Sequence, residues 1–151
     1  VISRSFSKAH GLAALRLGFC VSNPELSDYL NRVRQPFNAN SLALDLGKVA
    51  LSDQEHISKS VKINSSGMDR VKKAFTNLDY DFIESWGNFI SFDAKQDSDV
   101  AFQYFLEKGV ILRSLKVYEM PHHLRVSIGT EEEMDFFLQV LEDYEKDLSK
   151  K

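Results

Sequence analysis

The sequence predicts an α/β chain that ends in a smaller α+β unit, and three observations support this. Short apolar runs alternate with turn residues over roughly the first 50 positions. From Gln54 to Leu78 the apolar residues keep a helical period. Beyond Asp79, alternating runs are interleaved with capped helical segments.

The elements follow in order. The opening VISRSFSK reads as a strand running straight into a turn, with no methionine and no cap ahead of it, as expected for an interior piece of a longer chain. Leu15 to Val21 is a short apolar run, a second strand, ended by Ser22-Asn23-Pro24. Pro24 suits a first helical turn, and Glu25 and Asp28 sit where the positive end of a helix dipole favours acids. That helix stops before the loop Gln35-Pro36-Phe37-Asn38-Ala39-Asn40, and helical spacing resumes through Leu42, Leu46, Val49 and Ala50. Ile57, Val61, Met68, Val71 and Phe75 then define one long amphipathic helix, and Gly67 within it is expected not to break it. Asn88 to Phe92 alternates as a strand, residues 97–109 form a capped helix closed by Gly109, and Val110–Arg113 and His123–Ile128 are further strands. Thr130 caps a last helix with Glu131, Glu132 and Glu133 in its first turn and Met134, Phe137, Leu138, Leu141 and Tyr144 along one stripe. Three parts are expected: residues 1–50, a connecting helix over 51–78, and a C-terminal unit over 79–151.

Composition excludes several functions. A net charge of -3 and a pI near 5.8, with bases scattered among acids, leave no footprint for nucleic acid. No apolar stretch approaches the roughly 18 residues that span a bilayer, and no leader is legible, so no membrane partner is expected. The lone Cys20 cannot frame a disulfide, which fits a reducing, cytoplasmic setting. His122 and His123 lack acidic or thiol partners at ligand spacing, so no metal site is expected. Lys59, Lys62, Lys72 and Lys73 read as a solvated helix face, Phe102, Phe105 and Leu106 as core, and Tyr118 as a lid over the core.

The chemically suggestive stretch is SFSKAHGLAALR. An amine that is neutral near pH 7 can condense with an aldehyde, and desolvation or nearby positive charge lowers a lysine toward that range. Ser5, Ser7 and Arg16 are donors of the kind that hold a phosphate, the arginine through its planar fork. An aldehyde and a phosphate together suggest pyridoxal 5'-phosphate.

The run SFSKAHGLAALRLGF resembles the lysine segment of the fold-type I pyridoxal-phosphate aminotransferases, with the arginine eight residues beyond the lysine. QPFNAN, NFISF and GVILRSLKVYEMPHHLRVSIGTEEEMDFFL are similar to the corresponding stretches of the histidinol-phosphate aminotransferase branch, so the likeness covers nearly the whole chain. It implies the C-terminal part of such an enzyme: a remnant of the large cofactor domain, the connecting helix and the small domain. It also implies a cytoplasmic homodimer that carries histidinol phosphate and 2-oxoglutarate to imidazole acetol phosphate and glutamate. Lys8 would anchor the cofactor and move the substrate proton, Ser5, Ser7 and Arg16 would hold the cofactor phosphate, and Arg113 and Arg125 would bind substrate. His10 and Ala14 depart from the family's usual aromatic and glycine; His10 is expected to be a packed ring, and Ala14 to need negative φ. The family's acidic and aromatic cofactor partners precede the lysine, so the chain alone is expected to be inactive and to retain cofactor weakly. An aromatic amino-acid aminotransferase, a phosphothreonine decarboxylase and a non-catalytic self-associating α+β module are the alternatives.

Overall fold

A computed structural model describes residues 1–150, which divide into two compact units, residues 1–61 and residues 62–150.

In the first unit, strand β1 (Ile2–Ser5) pairs antiparallel with β2 (Gly18–Val21), Ile2 opposite Val21 and Ser5 opposite Gly18. A 3-10 turn, Ala13–Leu15, lies between them. Helix α1 (Pro24–Val33) begins where the proline predicts, with the Asn23 side chain accepting from the Leu26 amide at 2.8 Å. Helix α2 (Ser41–Ser52) is capped in the same way by Asn40, which accepts from Ala43. Few residues of this unit are buried: Phe6, Ala43 and Gly47.

Helix α3 (Gln54–Asn77) is unbroken. Gly67 is needed there for closeness rather than for a bend: a Cβ would lie 2.6 Å from Cγ2 of Ile128.

The second unit is a two-layer α+β structure. Its sheet has the order β3 (Phe82–Ile83), β4 (Phe89–Asp93), β6 (His123–Ser127), β5 (Arg113–Ser114), with every pairing antiparallel. Ile90 and Phe92 of β4 face the core with their partners Val126 and Leu124, and are covered by α3, by α4 (Ser98–Glu107) and by α5 (Glu131–Leu148) through Val71, Phe75, Phe105, Phe137, Leu141 and Tyr144. The other face of the sheet carries Phe89, Ser91, Arg125 and Arg113, because paired residues share a face and neighbours along a strand alternate. Thr130 and Glu133 close a complete capping box at the start of α5.

Four expectations are corrected. The strand read over Val110–Arg113 forms only at Arg113–Ser114, because Gly109 takes φ +85° and the Val110 amide is already bonded to the Phe105 carbonyl of α4 at 2.9 Å. Lys72 is half-buried in an ion pair with Glu84 rather than solvated, a partner supplied by β3–β4. Leu106 is exposed while Phe105 is fully buried, since the short α4 presents only one stripe to the core. Tyr118 is 57% exposed and leans on an arginine instead of covering the core.

Candidate active site

The turn that carries Lys8 is built by local hydrogen bonds. Phe6, buried beneath it, donates its amide to Leu17 O at 3.1 Å and accepts from Leu12 at 2.9 Å. The Lys8 carbonyl accepts from Gly11 N at 2.8 Å, closing a four-residue turn whose glycine sits at φ +71°. Lys8 itself is exposed, with its side chain free of protein hydrogen bonds among the described residues. His56, at the first turn of α3, makes a 3.0 Å contact from Nε2 to the carbonyl of Ala9, 47 residues away in the chain.

Ser5, Ser7 and Arg16 are brought together around that turn. Ser5 Oγ accepts from the Ser7 amide at 3.0 Å, so its hydroxyl proton remains available. Arg16 adopts the left-handed conformation at φ 53°, capping the 3-10 turn, and its Nη1 donates to Ala13 O at 2.7 Å and to Ser7 Oγ at 3.4 Å. That geometry uses one guanidinium nitrogen and leaves Nε and Nη2 without a protein acceptor among the described residues. The result is a cluster of uncommitted donors joined through Ser7, the residue before the lysine, and chemically suited to a phosphate. His10 is packed on Phe6 with ring centroids 4.8 Å apart, its Nδ1 buried and unpartnered. Ala14 avoids positive φ, as a side chain there requires.

In the second unit, Arg113 and Arg125 stand directly opposite one another on β5 and β6. Like charges so placed repel, and neither guanidinium has a carboxylate partner among the described residues. Arg125 lies over the Phe89 ring, 4.6 Å from its centroid, with a buried and unpaired Nε. Arg113 Nη2 donates to the Tyr118 hydroxyl at 2.9 Å. Two unneutralised cations on one sheet face make an anion-binding arrangement. An open, mostly apolar cleft of about 370 Å³ lies elsewhere in this unit, lined by Leu112, Val126, Ile128, Met134 and Phe137. No group of three acidic, histidine or cysteine side chains gathers as a metal would require among the described residues, and no described helix is long and apolar enough to cross a membrane.

Sequence reasoning missed Phe89 beneath Arg125, the Tyr118 hydroxyl on Arg113 and the His56 contact. Each depends on register or long-range packing that the local pattern does not carry.

The family described as aminotransferase class I and II matches residues 1–141. This chain belongs to that family. Two curated members are close in sequence: histidinol-phosphate aminotransferase 1 of Nitrosococcus oceani is 49% identical over 142 residues, covering 94% of this chain and 38% of that protein. Histidinol-phosphate aminotransferase 2 of Pseudomonas aeruginosa is 48% identical over 141 residues, covering 93% and 38%. Among solved structures, histidinol-phosphate aminotransferase from Sinorhizobium meliloti in complex with pyridoxal-5'-phosphate superposes with a TM-score of 0.80 at 23% identity, over 97% of this chain and 41% of that one. The enzyme from Clostridium acetobutylicum gives 0.84 at 17% identity, over 96% and 45%. These superpositions show that the fold is that of the fold-type I aminotransferases. The chain spans 38% of the length of the curated relatives it matches.

Proposed function

We propose that the chain is the C-terminal portion of a pyridoxal-phosphate aminotransferase that transfers the amino group of histidinol phosphate to 2-oxoglutarate. In this reading residues 1–50 are the remnant of the cofactor domain, 51–78 the connecting helix and 79–151 the small domain, and the whole protein is a cytoplasmic homodimer. The observation that carries the reading is the turn that gathers the free donors of Ser5, Ser7 and Arg16 beside Lys8. Pyridoxal phosphate held by these residues would supply an electron sink for the chemistry at the substrate's amino-bearing carbon. Lys8 anchors that group through its amine and holds the transferred proton; Ser5, Ser7 and Arg16 bind the phosphate. Arg125 grips a substrate carboxylate, its ring support on Phe89 fixing the fork, and Arg113 receives the phosphate of histidinol phosphate.

Arg113 favours a phosphorylated amine over an aromatic amino acid, because an uncompensated guanidinium beside a second one selects a distal anion. The test is turnover of histidinol phosphate with 2-oxoglutarate by the protein carrying the rest of its family's length. Lys8→Ala is expected to lower kcat by at least about a thousandfold, as removal of a nucleophile and base does. Activity on phenylalanine or tyrosine with none on histidinol phosphate would instead favour the aromatic alternative.

A further inference from the structure

We propose that Tyr118 is the positioning residue for Arg113 and thereby sets where the distal anion of the substrate is received. The anion half of this rests on the function proposed above; the positioning half rests on geometry alone. Arg113 occupies an edge strand of two residues, faces solvent, and stands across from Arg125. Repulsion from Arg125 and the rotamer freedom of an arginine would both carry its guanidinium away from that face. Tyr118 opposes both: its hydroxyl accepts from Arg113 Nη2 at 2.9 Å, and the guanidinium carbon lies 5.6 Å from its ring centroid. More than half exposed and outside the core cluster, the tyrosine makes no other side-chain hydrogen bond among the described residues.

The tyrosine is itself held. It ends the 3-10 turn Lys116–Tyr118, with its amide on Leu115 O at 2.8 Å, and Leu115 is buried. Lys116 Nζ donates to Asp99 at 2.7 Å and to Asp97 at 3.2 Å, the two acids that flank the start of α4. Ser114, beside Arg113, donates to Asp99 at 3.1 Å and shares a 2.9 Å hydrogen bond with the fully buried Ser98. The network has a second effect. Asp97 and Asp99 are committed to Lys116 and Ser114, so the nearby carboxylates do not neutralise Arg113. The Tyr118 hydroxyl accepts from Arg113 and keeps its own proton, so an anion would meet the remaining guanidinium N–H groups together with a phenol O–H.

The test uses the 151-residue chain and two readouts at Arg113 itself: nitrogen-15 NMR of its guanidinium rotation, and the shift of its guanidinium resonances on titration with inorganic phosphate against sodium chloride at matched ionic strength. Tyr118→Phe is expected to free Arg113 and to weaken phosphate binding by about tenfold, with unchanged melting temperature and circular dichroism. Lys116→Met, which keeps the phenol and unpins its turn, is expected to fall between Tyr118→Phe and the parent chain. Arg113 equally mobile with and without the Tyr118 hydroxyl, or phosphate bound equally by both, would overturn the positioning role and leave the substrate reading intact. Arg113 fixed by Tyr118 in a chain that takes up no phosphate would uphold the positioning and overturn the anion assignment.

Discussion

Arg16 carries a side chain through the left-handed region, at φ 53°, a conformation that costs roughly 1 kcal/mol for a residue with a Cβ. On the proposed reading the strain serves the phosphate site, since the guanidinium of this residue reaches Ser7 Oγ. Arg16→Lys keeps the charge and loses the fork. It is expected to weaken pyridoxal-phosphate affinity of the complete enzyme by tenfold or more, measured by titration of cofactor absorbance, with little change in fold. Glu119 holds the same kind of backbone, φ 61°, without making a side-chain hydrogen bond among the described residues. Glu119→Gly should therefore be neutral or raise stability by up to about 1 kcal/mol, whereas Glu119→Val should cost more than that, both read from thermal melts. The donors around Lys8 were legible in the sequence because all lie within a dozen residues of one another. Phe89 under Arg125 was not, because only the pairing of β4 with β6 brings them together.

At the scale of elements, α3 contains a glycine whose replacement by alanine would ordinarily stabilise an exposed helix by about 1 kcal/mol. Here the added carbon meets Ile128 Cγ2 at 2.6 Å, so Gly67→Ala is expected to destabilise by about 1–3 kcal/mol. The double variant with Ile128→Ala should cost less than the sum of the two single changes in denaturant melts. Helix α5 adds a dependence on pH. The buried Tyr144 hydroxyl donates to Ala94 O at 2.7 Å, and burial, reinforced by the Glu145 carboxylate, pushes it up to about 12. The fold holds this proton more tightly than the unfolded chain, whose tyrosine titrates near 10, so its stabilising contribution is intact below that value and lost as pH rises toward about 12. Melting temperature should fall over that window, and Tyr144→Phe should flatten the fall while lowering stability at neutral pH. Helices α1 to α5 announced themselves through caps and period. The two-residue strand β3 did not, because a run that short carries no alternation and exists only through its neighbours, and β5 was legible as a strand but placed too early, over Val110–Arg113.

At the scale of the molecule, the two units differ in how their apolar residues are covered. The second encloses a continuous core from Met68 to Tyr144. The first buries Phe6 and Ala43 but leaves Phe37 99% exposed, together with Val33, Leu42 and Val49. Surface of that kind calls for a partner, and the 151-residue chain is expected to self-associate at micromolar concentration. Sedimentation as a monomer across that range would contradict this. The same chain mixed with pyridoxal phosphate should show no stable cofactor absorbance, because it spans 38% of its curated relatives and, on the proposed reading, lacks the groups that hold the ring. The central claim concerns Lys8, and the most direct measurement is borohydride reduction of the protein purified from its native cells, followed by peptide mass mapping. The account predicts a pyridoxyl group on the peptide containing Lys8. A pyridoxyl group on another lysine, or on none, would contradict it.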